Sequence, residues 1–199
     1  MKNMRATVTL LCLLTFLCPP AVAQGGDAAQ ARHFSVKGLS FDYPSDASLE
    51  DMSGERGQHL VLKAGAKGAQ IMIISRFDTL NSQEQFETAH REVADKFINA
   101  MTEELKKLGQ IERTTVQIEI AGAQAPGVRL RSVLSSEPGD AECYSLLLGK
   151  RLVLVTLIGS DKEIAAAANT WAMVRRSLRI TPAETSSAAF ARNAAHTTN

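Results

Sequence analysis

An excess of charge of either sign is missing from this sequence. Its 199 residues carry 22 Lys and Arg against 21 Asp and Glu, a formal net charge of +1. Phosphate backbones are bound by clustered Lys and Arg, so this balance speaks against nucleic acid as a partner. Cysteine is scarce as well: there are three, and Cys12 and Cys18 both fall in the first 23 residues. Metal-site spacings such as H-E-x-x-H and C-x-x-C are absent, and none of His33, His59, His90 and His196 joins another ligand in such a pattern. No G-x-S-x-G marks a hydrolase nucleophile. The glycine pairs Gly54/Gly57 and Gly65/Gly68 match neither phosphate-binding loop, and both lead into strands rather than helices. No metal, nucleotide or other cofactor is implied, and a binding role is favoured over catalysis.

The one long apolar run comes at the start. Lys2 and Arg5 precede Val8–Cys18, Pro19 and Pro20 end any helix, and Ala21-Val22-Ala23 sets small residues before Gln24. This is the pattern of a secretory signal peptide cut after Ala23. Eleven apolar residues would rise about 16 Å as a helix, short of the roughly 30 Å hydrocarbon core, so no membrane span is expected in the mature chain. A lipoprotein anchored at Cys18 is disfavoured because Leu17 stands where a small residue belongs. Export points to the periplasm or the exterior. Cleavage would leave 20 basic and 21 acidic residues and a single cysteine, Cys143, hence no internal disulfide. Stability must then come from packing. The roughly 150 residues from His33 to Thr181 are enough to bury about two-thirds of their unfolded surface.

Residues 24–32 read as a flexible leader, 33–181 as one domain, and 182–199, with Phe190 as their one large apolar residue, as a disordered tail. Within the domain, short strands flank Gly38, and Gln58–Ala64 and Ala69–Arg76 form a hairpin around Gly65–Gly68. Ile71–Ile74 are all apolar, which predicts cover on both faces. Ser82-x-x-Gln85 opens a long helix whose apolar stripe is Phe86, Ala89, Val93, Phe97, Met101, Leu105 and Leu108. Four strands follow: Thr115–Ala121, Val128–Ser135, Glu142–Gly149 and Leu152–Ile158, with turns predicted at Gly122–Gly127, Glu137–Asp140 and Lys150-Arg151. Ser160-x-x-Glu163 caps a last helix carrying Trp171, a residue favoured for the core by its place in the stripe.

Two features invite a functional reading. Gln117 and Glu119 share one side of their strand, and Arg129 and Arg131 share one side of the next. If Glu119 faces Arg129, they form a polar sheet face able to meet a partner, against the plainer reading of a wet surface. Cys143 is the free thiol, either reactive or a small buried hydrophobe. Its neighbours Tyr144, Leu146, Leu147 and Leu148 favour burial, and no local residue would lower its pKa.

The order of elements, with Leu39-Ser40-Phe41-Asp42-Tyr43-Pro44 near its start and Arg175-Arg176-Ser177-Leu178 near its end, resembles the PsbP-like and DcrB-like proteins across about Phe34–Ile180. The resemblance implies an α+β fold: an α/β/α sandwich with a central, largely antiparallel sheet, one long helix in mid-chain and one C-terminal helix. It also implies a class of proteins that mostly bind other proteins and assist assembly, and it transfers no site residue. Three functions are weighed. The first is a non-enzymatic exported module that binds a protein partner. The second is a small-molecule or lipid carrier, favoured by an apolar pocket of at least about 300 Å³ beside Trp171 and the long helix. The third is a hydrolase whose site assembles in space, favoured by His59 or His90 meeting an acid in a cleft.

Overall fold

The computed structural model describes residues 30–65, 68–134 and 136–181. The predicted signal peptide and tail, and most of the predicted leader, lie outside these residues. Ten strands are present among them: β1 (Ala31–Val36), β2 (Leu39–Pro44), β3 (Ser48–Asp51), β4 (Gly57–Lys63), β5 (Gln70–Arg76), β6 (Glu112–Ile120), β7 (Ala123–Leu134), β8 (Glu137–Leu148), β9 (Arg151–Ser160) and β10 (Arg179–Ile180). The long helix comprises α1 (Gln83–Ala89), a π-helical turn (His90–Asp95) and α2 (Lys96–Lys106), and α3 (Asp161–Ala166) and α4 (Ala168–Ser177) follow β9.

Seven strands form one antiparallel sheet in the order β3-β4-β5-β9-β8-β7-β6. The apolar run of β9 is its middle strand, and every residue from Arg151 to Leu157 is buried. β1, β2 and β10 make a second, three-stranded sheet. The long helix packs on one face of the large sheet through Ala94 and Ile98, over Cys143, Leu152 and Leu154. On the other face Leu39 and Phe41 of the small sheet and Trp171 and Val174 of α4 meet Ile71, Ile73, Val153 and Val155. Each such side chain taken out of water contributes about 1.5–3 kcal/mol, which suits a core with no disulfide among the described residues. The predicted sandwich is the observed architecture.

Several sequence expectations are corrected in detail. The strand begins at Ala31, inside the predicted leader, because Ala31 and Arg32 pair with Pro44 and Tyr43. Glu137–Asp140 is strand, not turn. The chain reverses just before it, where Ser136 takes φ +69°, and the missing N–H of Pro138 falls beyond the last β8–β9 pair, Gly139 with Ser160. Likewise the next turn is Gly149-Lys150, both left-handed, with Arg151 already in β9. Positive φ at both positions is the type I′ turn, whose twist follows that of the strands. The last helix breaks at buried Ala167, and Leu108 is exposed. In the long helix the π turn adds a residue, so burial settles on Ala94, Ile98 and Leu105 while Val93, Phe97 and Met101 are half-buried beside them.

Candidate functional site

The four residues of the predicted polar face do not meet. The β6–β7 turn is Ala121-Gly122, which pairs Thr115 with Val128 and Glu119 with Gln124. Gln117 and Glu119 therefore lie on the long-helix side of the sheet, and Arg129 and Arg131 on the α3–α4 side. Glu119 does not face Arg129. The reason is parity: a shift of one residue in the turn exchanges the two faces.

Arg129 and Arg131 instead find acids on β8 and α3. Arg129 Nε donates to Glu142 Oε1 at 2.7 Å, and Tyr144 Oη donates to Glu142 Oε2 at 2.7 Å. Arg131 makes a bidentate pair with Asp161, at 2.8 and 2.7 Å, and lies 3.2 Å from Asp140 in an ion pair without hydrogen-bond alignment. The hydrogen bonds that Arg131 donates hold the Asp161 carboxyl below its ordinary range, and the two acids, Asp161 first and then Asp140, raise the guanidinium. Burial, then the bond to Glu142, pushes the Tyr144 hydroxyl up. These charges satisfy one another, so the cluster ties the sheet to the first turn of α3. Cys143 faces the other way, 1% exposed, and burial pushes its thiol up to about 11, against a weaker opposing bond with Thr156.

His90 occupies a second cluster. Its Nε2 lies 2.8 Å from Ser145 Oγ, and its Nδ1 lies 3.4 Å from Asp95 Oδ1, beside a cavity of about 160 Å³ that also touches Cys143 and Arg113. His90 and Asp95 are five positions apart, a spacing that parts them on an α-helix and joins them on a π turn. The acid beside His90 is thus Asp95, not Glu87 three residues before it, the spacing an α-helix would favour. Elsewhere His33 Nδ1 meets Asp42 at 2.6 Å on the surface, and His59 has no acid partner among the described residues. No group of three metal-ligating side chains occurs among the described residues.

Open space also lies along the long helix. Two cavities, about 490 and 540 Å³, adjoin at Arg76 and Val93 and follow the flank of α1 and the π turn beside β4 and β5. Their apolar lining includes Leu80, Val93 and Leu152 in one and Ile74 in the other. Their rims carry both signs, with Arg56 and Arg76 against Glu84 and Glu92. Arg76 is held by Asp78, its Nε donating at 3.0 Å. The sequence signal was present in the wholly apolar Ile71–Ile74. Ile71 and Ile73 are buried under the small-sheet layer, while Met72 and Ile74 stay half-buried because the helix covers that side incompletely. Trp171 is on the opposite face of the sheet, away from the long helix and these cavities.

No family model matches the chain, and no curated protein matches it in sequence. Solved structures do. The solution structure of cyanobacterial PsbP (CyanoP) from Synechocystis sp. PCC 6803 is similar at a TM-score of 0.51 and 14% identity, over 82% of this chain and 99% of that one. A crystal structure of a Bacteroides thetaiotaomicron protein is similar at 0.50 and 10% identity, over 76% of this chain and 49% of that one. Likeness at such identities establishes architecture and nothing about activity. The chain has the PsbP-like fold.

Proposed function

We propose that the protein is an exported, non-enzymatic accessory module that holds a segment of another protein in the groove beside the long helix. One observation carries this reading: the two adjoining cavities have an apolar lining and a rim of mixed charge. A lipid would find that rim costly to dehydrate, whereas a polypeptide offers apolar side chains for the floor and charges for the rim. The π turn supports it further, since such turns recur at functional sites and this one supplies Glu92 and Val93 to the groove. Export to the periplasm or exterior rests on the signal-peptide pattern of residues 1–23.

The test compares the protein with Val93→Arg and Arg76→Glu as baits against the exported fraction of its own cells. Retention of one protein by the parent, lost with both variants, is the expected result. Co-purification of a lipid instead, read by mass spectrometry, would turn the assignment to a carrier. Amino-terminal sequencing of the exported protein is expected to begin at Gln24.

A hydrolase is the second reading, favoured by His90 standing between Asp95 and Ser145. It ranks below the first because Ser145 is 5% exposed and the adjoining cavity holds only about 160 Å³. Covalent labelling of the folded protein by a fluorophosphonate, abolished in Ser145→Ala, would promote it.

A further inference from the structure

The seven-stranded sheet ends at β6, whose outer edge pairs with no strand among the described residues. We propose that this edge pairs antiparallel with β6 of a second copy of the chain, about a two-fold axis at Val116, joining two sheets into one. The proposal is independent of the groove and lies on the far side of the sheet from β4 and β5.

The edge is long. β6 pairs with β7 without interruption from Glu112 to Ile120, and its nine residues include no proline and no lysine, two of the devices that blunt an edge; its charges, Glu112, Arg113 and Glu119, are of both signs. The phase of its hydrogen bonds is set by α4. Ala121 N–H donates to the Arg175 carbonyl, and Arg175 Nη1 donates to the Glu119 carbonyl. Residues 119 and 121 thus turn their backbone groups away from β7. By alternation Arg113, Thr115 and Gln117 do the same. The engagement of Ala121 also stops any added strand at Glu119.

Pairing about Val116 satisfies three conditions. It uses the open stretch of the edge, a ladder that runs from Arg113 to Glu119 and stops where Ala121 is engaged. It sets outward-bonding residues against outward-bonding residues, Arg113 with Glu119 and Thr115 with Gln117, as an antiparallel ladder requires. And it places Arg113 across from Glu119 twice, once on each side of the axis. Neither residue has an ion-pair partner among the described residues, and both are exposed. On the other face Val116 meets its own copy and Thr114 meets Ile118, covering two half-buried apolar side chains. An isologous contact of this kind closes on itself as a dimer.

Sedimentation of the purified chain across a concentration series tests the proposal. A reversible monomer–dimer equilibrium is expected. Thr115→Pro removes an outward N–H that the monomer does not use, a change edge strands tolerate, and should raise the dissociation constant at least tenfold with an unaltered circular dichroism spectrum. Glu119→Arg should weaken the dimer, and adding Arg113→Glu to it should restore the parent constant to within about threefold, since opposed unlike charges are favourable and like charges are not. A chain that stays monomeric throughout, whether or not another protein's strand binds the edge, overturns the proposal. A dimer indifferent to Thr115→Pro overturns edge pairing, and failure of the charge exchange to rescue overturns the Val116 register.

Discussion

Replacing Glu142 by Ala is the sharpest probe of how this fold is held together. The carboxylate is 8% exposed and accepts from Arg129 through one oxygen and from Tyr144 through the other. Loss of a buried ion pair can cost several kcal/mol, but the Arg129 side chain is 43% exposed and regains water, so its share falls to about 1 kcal/mol. Tyr144 is 2% exposed, and its hydroxyl loses a bond to a charged acceptor worth about 1.5–3 kcal/mol. The sum is about 2–4 kcal/mol, which lowers Tm by about 5–12 °C for a domain of this size. Glu142→Gln keeps an acceptor for Tyr144 and should lose about half as much. A double-mutant cycle of Glu142→Gln with Tyr144→Phe in urea should give a coupling of about 1 kcal/mol. A Tm within 1 °C of the parent for Glu142→Ala would show that the cluster is ornament on an apolar core.

Other outcomes follow from the same coordinates. Asp161 is held below its ordinary pKa by Arg131, so its contribution is complete above the unfolded carboxylate range near 3.8 and fades as pH falls through the lower folded value. Acid unfolding of Asp161→Asn should therefore begin from a lower starting stability and be less steep below pH 4. Cys143 shows the opposite trend: with the folded thiol near 11 and the ordinary thiol at 9.0, stability drops between those pH values by about 2–3 kcal/mol. Cys143→Ala should flatten that limb in paired urea titrations, and a bulky maleimide should label the native parent far more slowly than the unfolded chain. At Gly127 an added Cβ would lie 2.5 Å from the Tyr144 ring and 2.6 Å from the Cys143 carbonyl. Gly127→Ala should cost about 1–3 kcal/mol through overpacking, measured by thermal unfolding.

What the sequence revealed and what it withheld have physical causes. Burial on both faces leaves an unbroken apolar run, and so β9 was readable as the central strand. Both helix starts were readable from Ser82 and Ser160, whose hydroxyls accept the N–H of Gln85 and Glu163. The parity of β7 against β6 was not readable, because Gly122–Gly127 offers several turns and each assigns Arg129 a different neighbour. β3 and β10 are too short to leave a period. Asp95 escaped notice because the π turn that brings it to His90 has no residue signature. Arg76 escaped too, since the groove it rims is made by what the long helix leaves uncovered.

The groove claim is tested most directly by a photo-crosslinking amino acid at Val93 in cells exporting the protein, with Leu108, exposed in the turn just after the long helix, as the control position. One discrete adduct with another protein at position 93 and none at 108 is the result expected here. Equal adducts at both positions, or none at 93, would contradict a binding groove beside the long helix.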